Sequence, residues 1–345
     1  MAARIAIVGA GAIGGYFGAH MIKGGLDPVL IDAWPENVER IREHGLVVDG
    51  MTEGSRLTVN ADIRHIGEVQ SLIHDRPVDI AFIAFKSYDT AWATHLILPY
   101  LAEAGVVVSL QNAINEPGIA AIAGTHRTFG CAITALSCDM IAAGHVHRMS
   151  ASGSVSVGAM EPGHEDKCEE IAAVLSHAEE TSAIGNLIEV KWSKLVINAM
   201  RNGLSAMTGM TGGERDSDPV TIALGIRLGA QTVRVARALG YRLTGSTLDF
   251  DCLVAADEGN DDALAAMRAQ LTSIANSRSR EQRPSMAQDI RKQRRTETDA
   301  INGFIAALGR DLGIDTAAHQ RVHELILRIE KGDIAPSPQL AYGIM

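Results

Sequence analysis

The sequence predicts a doubly wound α/β domain followed by an all-helical domain, and two observations point to this class. Short apolar runs rich in valine and isoleucine alternate with amphipathic stretches through the first half of the chain. Beyond about residue 187, the apolar residues recur with the period of helices alone. We therefore predict a parallel sheet with an antiparallel extension in residues 1–187. We also predict a helical domain in residues 188–335, followed by an irregular tail in residues 336–345.

The parallel strands are predicted from continuous apolar runs, a pattern typical of strands buried on both faces. These runs are Ile5–Val8, Val29–Ile31, Ile80–Phe85 and Val106–Leu110. The amphipathic stretches between them predict helices over Ala12–Lys23, Glu36–Glu43 and Thr90–Glu103. Glycines follow the first two helices, as expected for residues that end a helix.

Polar and apolar residues alternate in His145–Met149 and Ser154–Gly158, which predicts the antiparallel extension of the sheet. A helix is predicted next, over Asp166–Glu180. The helical domain is predicted from Glu189–Met207, Pro219–Leu239, Asp262–Asn276, Met286–Leu308 and Ala317–Lys331. Asp218 stands directly before Pro219, a pair that is typical of a helix start.

Composition excludes several classes of protein. The chain has 345 residues, 46% of them hydrophobic, and a net charge of −10, so it is neither disordered nor a polyanion binder. No run approaches the roughly 18 apolar residues of a membrane span, and no signal peptide is visible. The four cysteines form no CxxC pair, so we expect reduced thiols in a cytoplasmic protein. We expect no metal site, because His319 and His323 lack a third ligand.

A glycine-rich loop is the first candidate site. The first predicted strand runs into Gly9-Ala10-Gly11-Ala12-Ile13-Gly14, which opens the first predicted helix. In this context the spacing G-x-G-x-x-G indicates a dinucleotide site. The first glycine makes the turn, the second lets the backbone approach the pyrophosphate, and the third lets helix and strand pack closely. The alternative is a tight strand-to-helix turn without a ligand.

Asp32 ends the second predicted strand, eighteen residues after Gly14. A carboxylate at this position can accept hydrogen bonds from both ribose hydroxyls and would repel a 2′-phosphate. No arginine or lysine occurs within the next seven residues, which favours NAD over NADP. The alternative is that Asp32 only caps the next helix while Arg40 or Arg42 reaches back to a phosphate, which would favour NADP.

A polar stripe marks the first helix of the helical domain. Its members lie three or four residues apart on one face of a helix: Lys194, Asn198, Asn202 and Ser205. Asparagine is a poor helix former, so two on one face indicate a cleft in which a lysine donates a proton and amides bind a polar substrate. The alternative is an exposed face with an ordinary lysine.

Two further residues lie near the predicted helix Met286–Leu308. Glu297 falls on its apolar stripe, where a carboxylate needs a partner or a task, although an ion pair with Arg294 is an alternative. Ser285 fits the N-cap of a capping box with Gln288, and taken alone it is a cap and not a ligand.

Together these residues resemble the ketopantoate reductase (2-dehydropantoate 2-reductase) family, almost from end to end. The matching pieces are the glycine loop, Lys86, Gln111-Asn112, Trp192-x-Lys194-x-x-x-Asn198-x-x-x-Asn202, and Ser285-Met286-x-Gln288-Asp289 with Glu297 twelve residues after Ser285. The resemblance implies a Rossmann domain joined to a helical domain, an active site in the cleft, and a homodimer formed through the helical domain.

The resemblance also implies roles for individual residues. Lys194 would be the general acid, and Asn198, Asn202 and Ser285 would contact the substrate. Asn112 would lie between cofactor and substrate, while Lys86 and Glu297 would contact the cofactor, or the substrate in the closed form.

The implied reaction is hydride transfer between a nicotinamide and a 2-oxo acid or ketone. Family members usually take NADPH through a basic residue after the second strand, whereas Asp32 stands here, so we expect NAD and a substrate that is not restricted to ketopantoate. Two alternatives remain. A β-hydroxyacid-type dehydrogenase would not explain Ser285 and Glu297, and a non-catalytic dinucleotide-binding regulator would not need Lys194.

Overall fold

The computed structural model describes residues 3–51, 54–276, 281 and 283–344. The chain divides into two compact units, Met1–Leu187 and Ile188–Met345. The first unit is α/β, and in the described part of the second unit every regular element is helical. The predicted fold class, an α/β Rossmann-type sheet followed by an all-helical domain, is confirmed.

The first unit contains two sheets and the helices that pack on them. Its described strands are β1 (Ile5–Val8), β2 (Val29–Asp32), β3 (Leu46–Gly50), β4 (Leu57–Val59), β5 (Asp62–His65), β6 (Val78–Ile83), β7 (Leu101–Ser109), β8 (Thr128–Thr134), β9 (Cys138–Ala142), β10 (His145–Arg148), β11 (Ser154–Ala159) and β12 (Glu180–Ala183). Its described helices are α1 (Ala12–Lys23), α2 (Pro35–His44), α3 (Thr90–Ile97), α4 (Glu116–Ala123) and α5 (Glu165–Leu175), with 3₁₀ turns at Ile66–His74, Ser87–Asp89, Leu98–Tyr100 and Thr125–Arg127.

The large sheet has eight strands in the order β12-β11-β8-β7-β6-β1-β2-β5. Strands β5, β2, β1, β6, β7 and β8 are parallel, and β11 is antiparallel to β8. The chain runs outward from β1 to β2 and β5, then returns to place β6 on the other side of β1. In open α/β sheets, ligands bind outside the carboxyl ends of the strands at such a reversal of strand order.

Both faces of the large sheet are buried. Along β1 the side chains alternate, so that Ile5 and Ile7 enter one apolar cluster while Ala6 and Val8 enter another. The first cluster includes residues of α1 and α5, and the second includes residues of α3 and α4. Because both faces are buried, these strands are continuous apolar runs in the sequence.

Helix α1 is packed between the large sheet and a second sheet of order β4-β3-β10-β9. A Cβ atom at Gly18 would lie 2.7 Å from Leu30 of the large sheet, and one at Gly15 would lie 3.2 Å from Val146 of the small sheet. Glycine inside a helix costs about 1 kcal/mol relative to alanine. Close packing on both sides of α1 offsets that cost.

Strand β5 lies at one edge of the large sheet, where it pairs with β2 on one side and with no described strand on the other. The Arg42 side chain of α2 covers part of this edge, donating to the Ile63 carbonyl oxygen from Nε at 3.1 Å and from Nη2 at 3.0 Å. Arg42 also forms an ion pair with Glu68.

The second unit has an apolar core of its own, and its described part is built from helices. They are α6 (Leu187–Thr208), which begins one residue before the unit boundary, α7 (Gly212–Arg215), α8 (Pro219–Ala238), α9 (Phe250–Asp257), α10 (Asp261–Asn276), α11 (Ser285–Arg291), α12 (Phe304–Leu312), α13 (Ala317–Glu330) and α14 (Gln339–Tyr342), with a π-helical turn at Asp299–Gly303. Met200, Val233 and Leu253 bring α6, α8 and α9 together in this core. None of the helices in the described part of the chain combines the length and apolarity that crossing a membrane requires.

Three sequence predictions of helices are corrected. The predicted helix Thr90–Glu103 ends at Ile97, because Pro99 has no N–H to continue the helical hydrogen bonds. A 3₁₀ turn, Leu98–Tyr100, follows, and Leu101 already belongs to β7. The predicted helix Asp166–Glu180 ends at Leu175, and Glu180 lies in β12. The predicted single helix Met286–Leu308 is interrupted between Arg291 and Asp299, where Gln293 has a positive φ of 53°.

Three further predictions are corrected. His145–Met149 was expected to extend the large sheet, but β10 belongs to the small sheet, where it pairs with β3 and β9. The large sheet is extended by β11, which runs antiparallel to β8, and by β12, which pairs with β11. Ser285 is the first residue of α11 and not its N-cap, since Pro284 occupies that position without a side-chain cap. The tail 336–345 is not wholly irregular, because α14 forms within it and buries Ala341.

His319 is a fully buried histidine in the second unit. Its Nε2 donates to the Leu228 carbonyl oxygen at 2.9 Å, and its Nδ1 accepts from Asn302 Nδ2 at 3.1 Å. One ring nitrogen therefore donates a hydrogen bond and the other accepts one, as in a neutral imidazole. Burial lowers the pKa of His319 to about 4.

We predict that His319 makes the protein less stable in mild acid. Its pKa lies below the ordinary histidine value of 6.5, so its contribution to the free energy of unfolding is complete above pH 6.5 and is lost as the pH falls toward 4. The full loss is about 3 kcal/mol. His319→Gln should reduce the difference in unfolding free energy between pH 7 and pH 5 in urea titrations.

The exposed His95→Gln is the control and should leave that difference unchanged. His20 in the first unit also has a pKa lowered to about 4 by burial, so some acid sensitivity should persist in the His319 variant. An unchanged difference in His319→Gln would contradict the assignment.

Candidate active site

The glycine loop begins directly after β1 and leads into α1. Gly9 has a φ of +113°, and a Cβ atom there would lie 2.7 Å from the backbone nitrogen of Phe85. A Cβ atom at Gly14 would lie 1.8 Å from the Gly9 carbonyl oxygen, whereas one at Gly11 would meet nothing within 4 Å. Gly9 and Gly14 therefore allow close backbone contacts within the protein, and Gly11 leaves space beside the N-terminus of α1.

This arrangement fits a dinucleotide. No side chain caps the N-terminus of α1, so its first backbone N–H groups are available to a phosphate. The space beside Gly11 gives a pyrophosphate room to approach them.

The carboxyl ends of β6 and β7 adjoin the same edge of the sheet. Lys86 follows β6 by three residues and Asn112 follows β7 by three; both are half-buried. Buried Gln111 ties the two loops together, because its Nε2 donates to the Phe85 carbonyl oxygen at 2.9 Å and to Thr90 Oγ1 at 2.8 Å. The strand order thus brings the glycine loop, Lys86 and Asn112 to one edge of the first unit.

Asp32 ends β2 and is buried, with 6% of its surface exposed. Its Oδ1 accepts a hydrogen bond from the Trp34 backbone at 2.8 Å, and its Oδ2 accepts from Asn37 Nδ2 at 3.2 Å. Burial raises the pKa of Asp32, and these hydrogen bonds partly oppose the shift. The N-cap of α2 is Trp34 and not Asp32.

Asn37 was missed by the sequence analysis. It lies in the first turn of α2 and is completely buried. Its Nδ2 also donates to the Ala10 carbonyl oxygen at 3.1 Å, while its Oδ1 accepts from the Gly144 backbone at 2.7 Å. In the sequence, only its spacing of five residues from Asp32 could have pointed to Asn37, because Gly144 is 107 residues away.

The polar stripe lies on α6 and is not a solvated face. Lys194 and Asn198 are half-buried, Asn202 is buried, and Ser205 is completely buried. Asn198 Nδ2 is a buried donor without a hydrogen-bond partner among the described residues. A buried donor of this kind costs free energy unless a ligand or water accepts from it.

The end of the stripe is fixed by a buried ion pair. Arg215 of α7 is 3% exposed and donates to Ser205 Oγ at 2.7 Å. It also pairs with Asp216 at 2.8 Å, and Asp216 pairs in turn with Arg201 of α6. Ser205 therefore serves packing within the second unit, while Lys194, Asn198 and Asn202 remain the candidates for ligand contact.

Ser285 and Glu297 lie on different elements of the second unit. Ser285 opens α11 and is half-buried, whereas Glu297 lies in the irregular stretch before the π-helical turn. Glu297 is 6% exposed, and its carbonyl oxygen accepts from the backbone of Ala300 and Ile301, both at 3.1 Å. This backbone bonding holds the buried carboxylate at the break in the predicted helix.

Metal ligation has no visible basis in the part of the chain that is described. No group of three or more histidine, cysteine, aspartate or glutamate side chains there has the geometry to hold a metal ion.

The fold and the site define a class. A dinucleotide-binding α/β unit followed by a helical unit with a lysine–asparagine face is typical of NAD(P)-dependent oxidoreductases that act on CH–OH groups. A family profile described as "Ketopantoate reductase PanE/ApbA" matches residues 5–162, and its "C terminal" counterpart matches residues 186–330. The chain belongs to the ketopantoate reductase family, which confirms the resemblance found in the sequence.

Relatives match along nearly the whole chain. A 2-dehydropantoate 2-reductase of Archaeoglobus fulgidus is 29% identical over 332 residues, covering 95% of this chain and 98% of the relative. One from Lactococcus lactis is 27% identical, covering 91% and 93%.

Solved structures match equally far. The PanE/ApbA family ketopantoate reductase from Ralstonia eutropha JMP134 has a TM-score of 0.76 at 26% identity, covering 95% of this chain and 99% of that one. A ternary structure of D-mandelate dehydrogenase with NADH and anilino(oxo)acetate has a TM-score of 0.82 at 23% identity, covering 95% and 98%, and shows the shared fold.

We predict opposite effects for two substitutions in the glycine loop. Gly11→Ala should leave the melting temperature nearly unchanged, because a methyl group fits there, but should raise the dissociation constant of NADH at least about tenfold by filling the space for the pyrophosphate. Gly14→Ala should lower the free energy of unfolding by at least about 2 kcal/mol, because its methyl group would collide with Gly9. Thermal melts and calorimetric titrations with NADH test both predictions. Normal NADH binding by Gly11→Ala would contradict the proposed fit of a pyrophosphate beside Gly11.

Proposed function

We propose that this chain transfers hydride between NAD(H) and a 2-oxo acid or its 2-hydroxy acid, with Lys194 as the general acid. The observation that most supports NAD is Asp32, a buried carboxylate at the ribose end of the dinucleotide site. Membership of the family supports the substrate class.

The nicotinamide supplies the hydride when bound. As the hydride reaches the carbonyl carbon, the π electrons of the C=O bond move to oxygen. The Lys194 ammonium group stabilises this developing charge, donates a proton to the oxygen, and is reprotonated from solvent. In the oxidative direction the neutral amine accepts the hydroxyl proton.

The remaining stripe residues bind substrate in this proposal. Asn198 has an unsatisfied buried donor, which suits a carboxylate or hydroxyl oxygen of a substrate. Asn202 and Ser285 provide further polar contacts, Asn112 lies between cofactor and substrate, and Lys86 and Glu297 contact the cofactor or the closed-form substrate. Membership of the family also supports a homodimer in the cytoplasm as part of the proposal.

The substrate need not be ketopantoate. Asp32 already departs from the basic residue that ketopantoate-reducing members usually use for NADPH. A panel should therefore include 2-dehydropantoate and other 2-oxo acids for reduction and D-mandelate for oxidation, the last because a structural neighbour is a D-mandelate dehydrogenase. No turnover of any 2-oxo or 2-hydroxy acid would contradict the proposal.

We predict that Lys194→Ala lowers kcat at least about 100-fold on whichever panel substrate the wild type turns over best, because the positioned acid is lost. The NADH dissociation constant should not change. Lys194→Arg should restore little, because arginine stays protonated and presents a planar group. Lys167→Ala, which removes a half-buried lysine of α5 that pairs with Glu170, is the control for removing a lysine. A near-normal kcat in Lys194→Ala would exclude this role and favour Lys86.

We predict that the wild type prefers NADH, with kcat/KM at least about tenfold above that with NADPH, or about 1.4 kcal/mol. Asp32→Ala combined with Ala33→Arg should shift the preference toward NADPH. Because burial raises the pKa of Asp32, its carboxylate protonates more readily as the pH falls, and a neutral carboxyl repels a 2′-phosphate less. The ratio of kcat/KM with NADH to kcat/KM with NADPH should therefore decrease for the wild type as the pH falls. A preference for NADPH at neutral pH would contradict the assignment.

A further inference from the structure

Asn37 is placed where three parts of the first unit meet. Its amide contacts the second residue of the glycine loop, the carboxylate at the end of β2, and the turn between β9 and β10 of the small sheet. The side chain is completely buried, so water does not substitute for these contacts.

The chemistry of the three partners fixes the orientation of the amide. The Ala10 carbonyl and the Asp32 carboxylate can only accept hydrogen bonds, so both require the Nδ2 side. The Gly144 backbone N–H can only donate, so it requires Oδ1. A carboxylate or an apolar side chain of the same size would lose at least one of these interactions.

The small sheet supports this orientation from the opposite side. Gly144 has a φ of +68°, and its carbonyl oxygen accepts from the Val47 backbone of β3 at 2.8 Å. The turn is thereby held to β3, and its N–H is held toward Asn37. Asn37 thus joins the small sheet to the edge where the cofactor is proposed to bind.

Asp32 depends on this arrangement for its own orientation. Oδ1 is held by Trp34 and Oδ2 by Asn37, and the backbone N–H groups of Ala10 and Ala33 also donate to the carboxylate, so its plane is set from several directions. A 2′-phosphate at the ribose would meet this fixed negative charge, whereas ribose hydroxyls carry no charge for it to repel.

We propose that Asn37 is a positioning residue that sets the discrimination between NADH and NADPH through Asp32. The inference rests on the proposed role of Asp32 at the ribose. Asn37 does not touch the reacting atoms; it holds the carboxylate and the glycine loop in one fixed relation.

The test is equilibrium binding of NADH and of NADPH, followed by nicotinamide fluorescence. Asn37→Leu should raise the NADH dissociation constant at least about tenfold and that of NADPH by no more than about threefold, so that their ratio moves toward NADPH. Asn37→Ser, which retains one donor, should give an intermediate ratio and serves if Asn37→Leu fails to fold. Gln231→Leu removes another buried amide, on α8 of the second unit, and should change neither constant.

A double-mutant cycle shows whether Asn37 acts through Asp32. In the Asp32→Ala background, Asn37→Leu should leave the ratio of dissociation constants unchanged. Equal weakening of both cofactors by Asn37→Leu, or an unchanged ratio in an otherwise folded protein, would overturn the proposal. The ratio of the two dissociation constants in the wild type tests the proposed NAD preference. The change of that ratio in the Asn37 variants tests the role of Asn37.

Discussion

The close approach of Gly14 to the Gly9 carbonyl oxygen is the constraint on which the first unit depends. It brings the start of α1 against the end of β1, leaving room there for no side chain. The helix N-terminus is thereby fixed at the carboxyl edge of the sheet, where the loops after β6 and β7 also end. Because α1 packs on both sheets, the same contact sets the position of the small sheet beside α2.

The two units provide different chemistry. The first offers backbone N–H groups and a buried carboxylate, which suit the phosphate and ribose parts of a dinucleotide. The second offers a lysine and neutral amides on a largely buried face of α6, which suit a carbonyl substrate that gains charge on oxygen.

Local patterns sufficed for much of this structure. The exact bounds of β1 and α1 were predicted from the sequence. An apolar run marks β1, and glycines before and after α1 mark the start and end of that helix. Asp32 was named as a candidate because it ends a predicted strand. Asn37 was not, since its role depends on Gly144, far away in the sequence. The break after Arg291 also gave no signal, because Gln293, and not glycine, adopts the positive φ there.

Arg42 has a consequence for how molecules of this protein meet in solution. The open edge of a sheet offers backbone groups to which a strand of a second molecule can bind. At β5 the guanidinium group already occupies the Ile63 carbonyl oxygen, and its charge is paired with Glu68. A strand arriving at that edge would have to displace both interactions and desolvate an arginine, so growth of the sheet from one molecule to the next is disfavoured at this position.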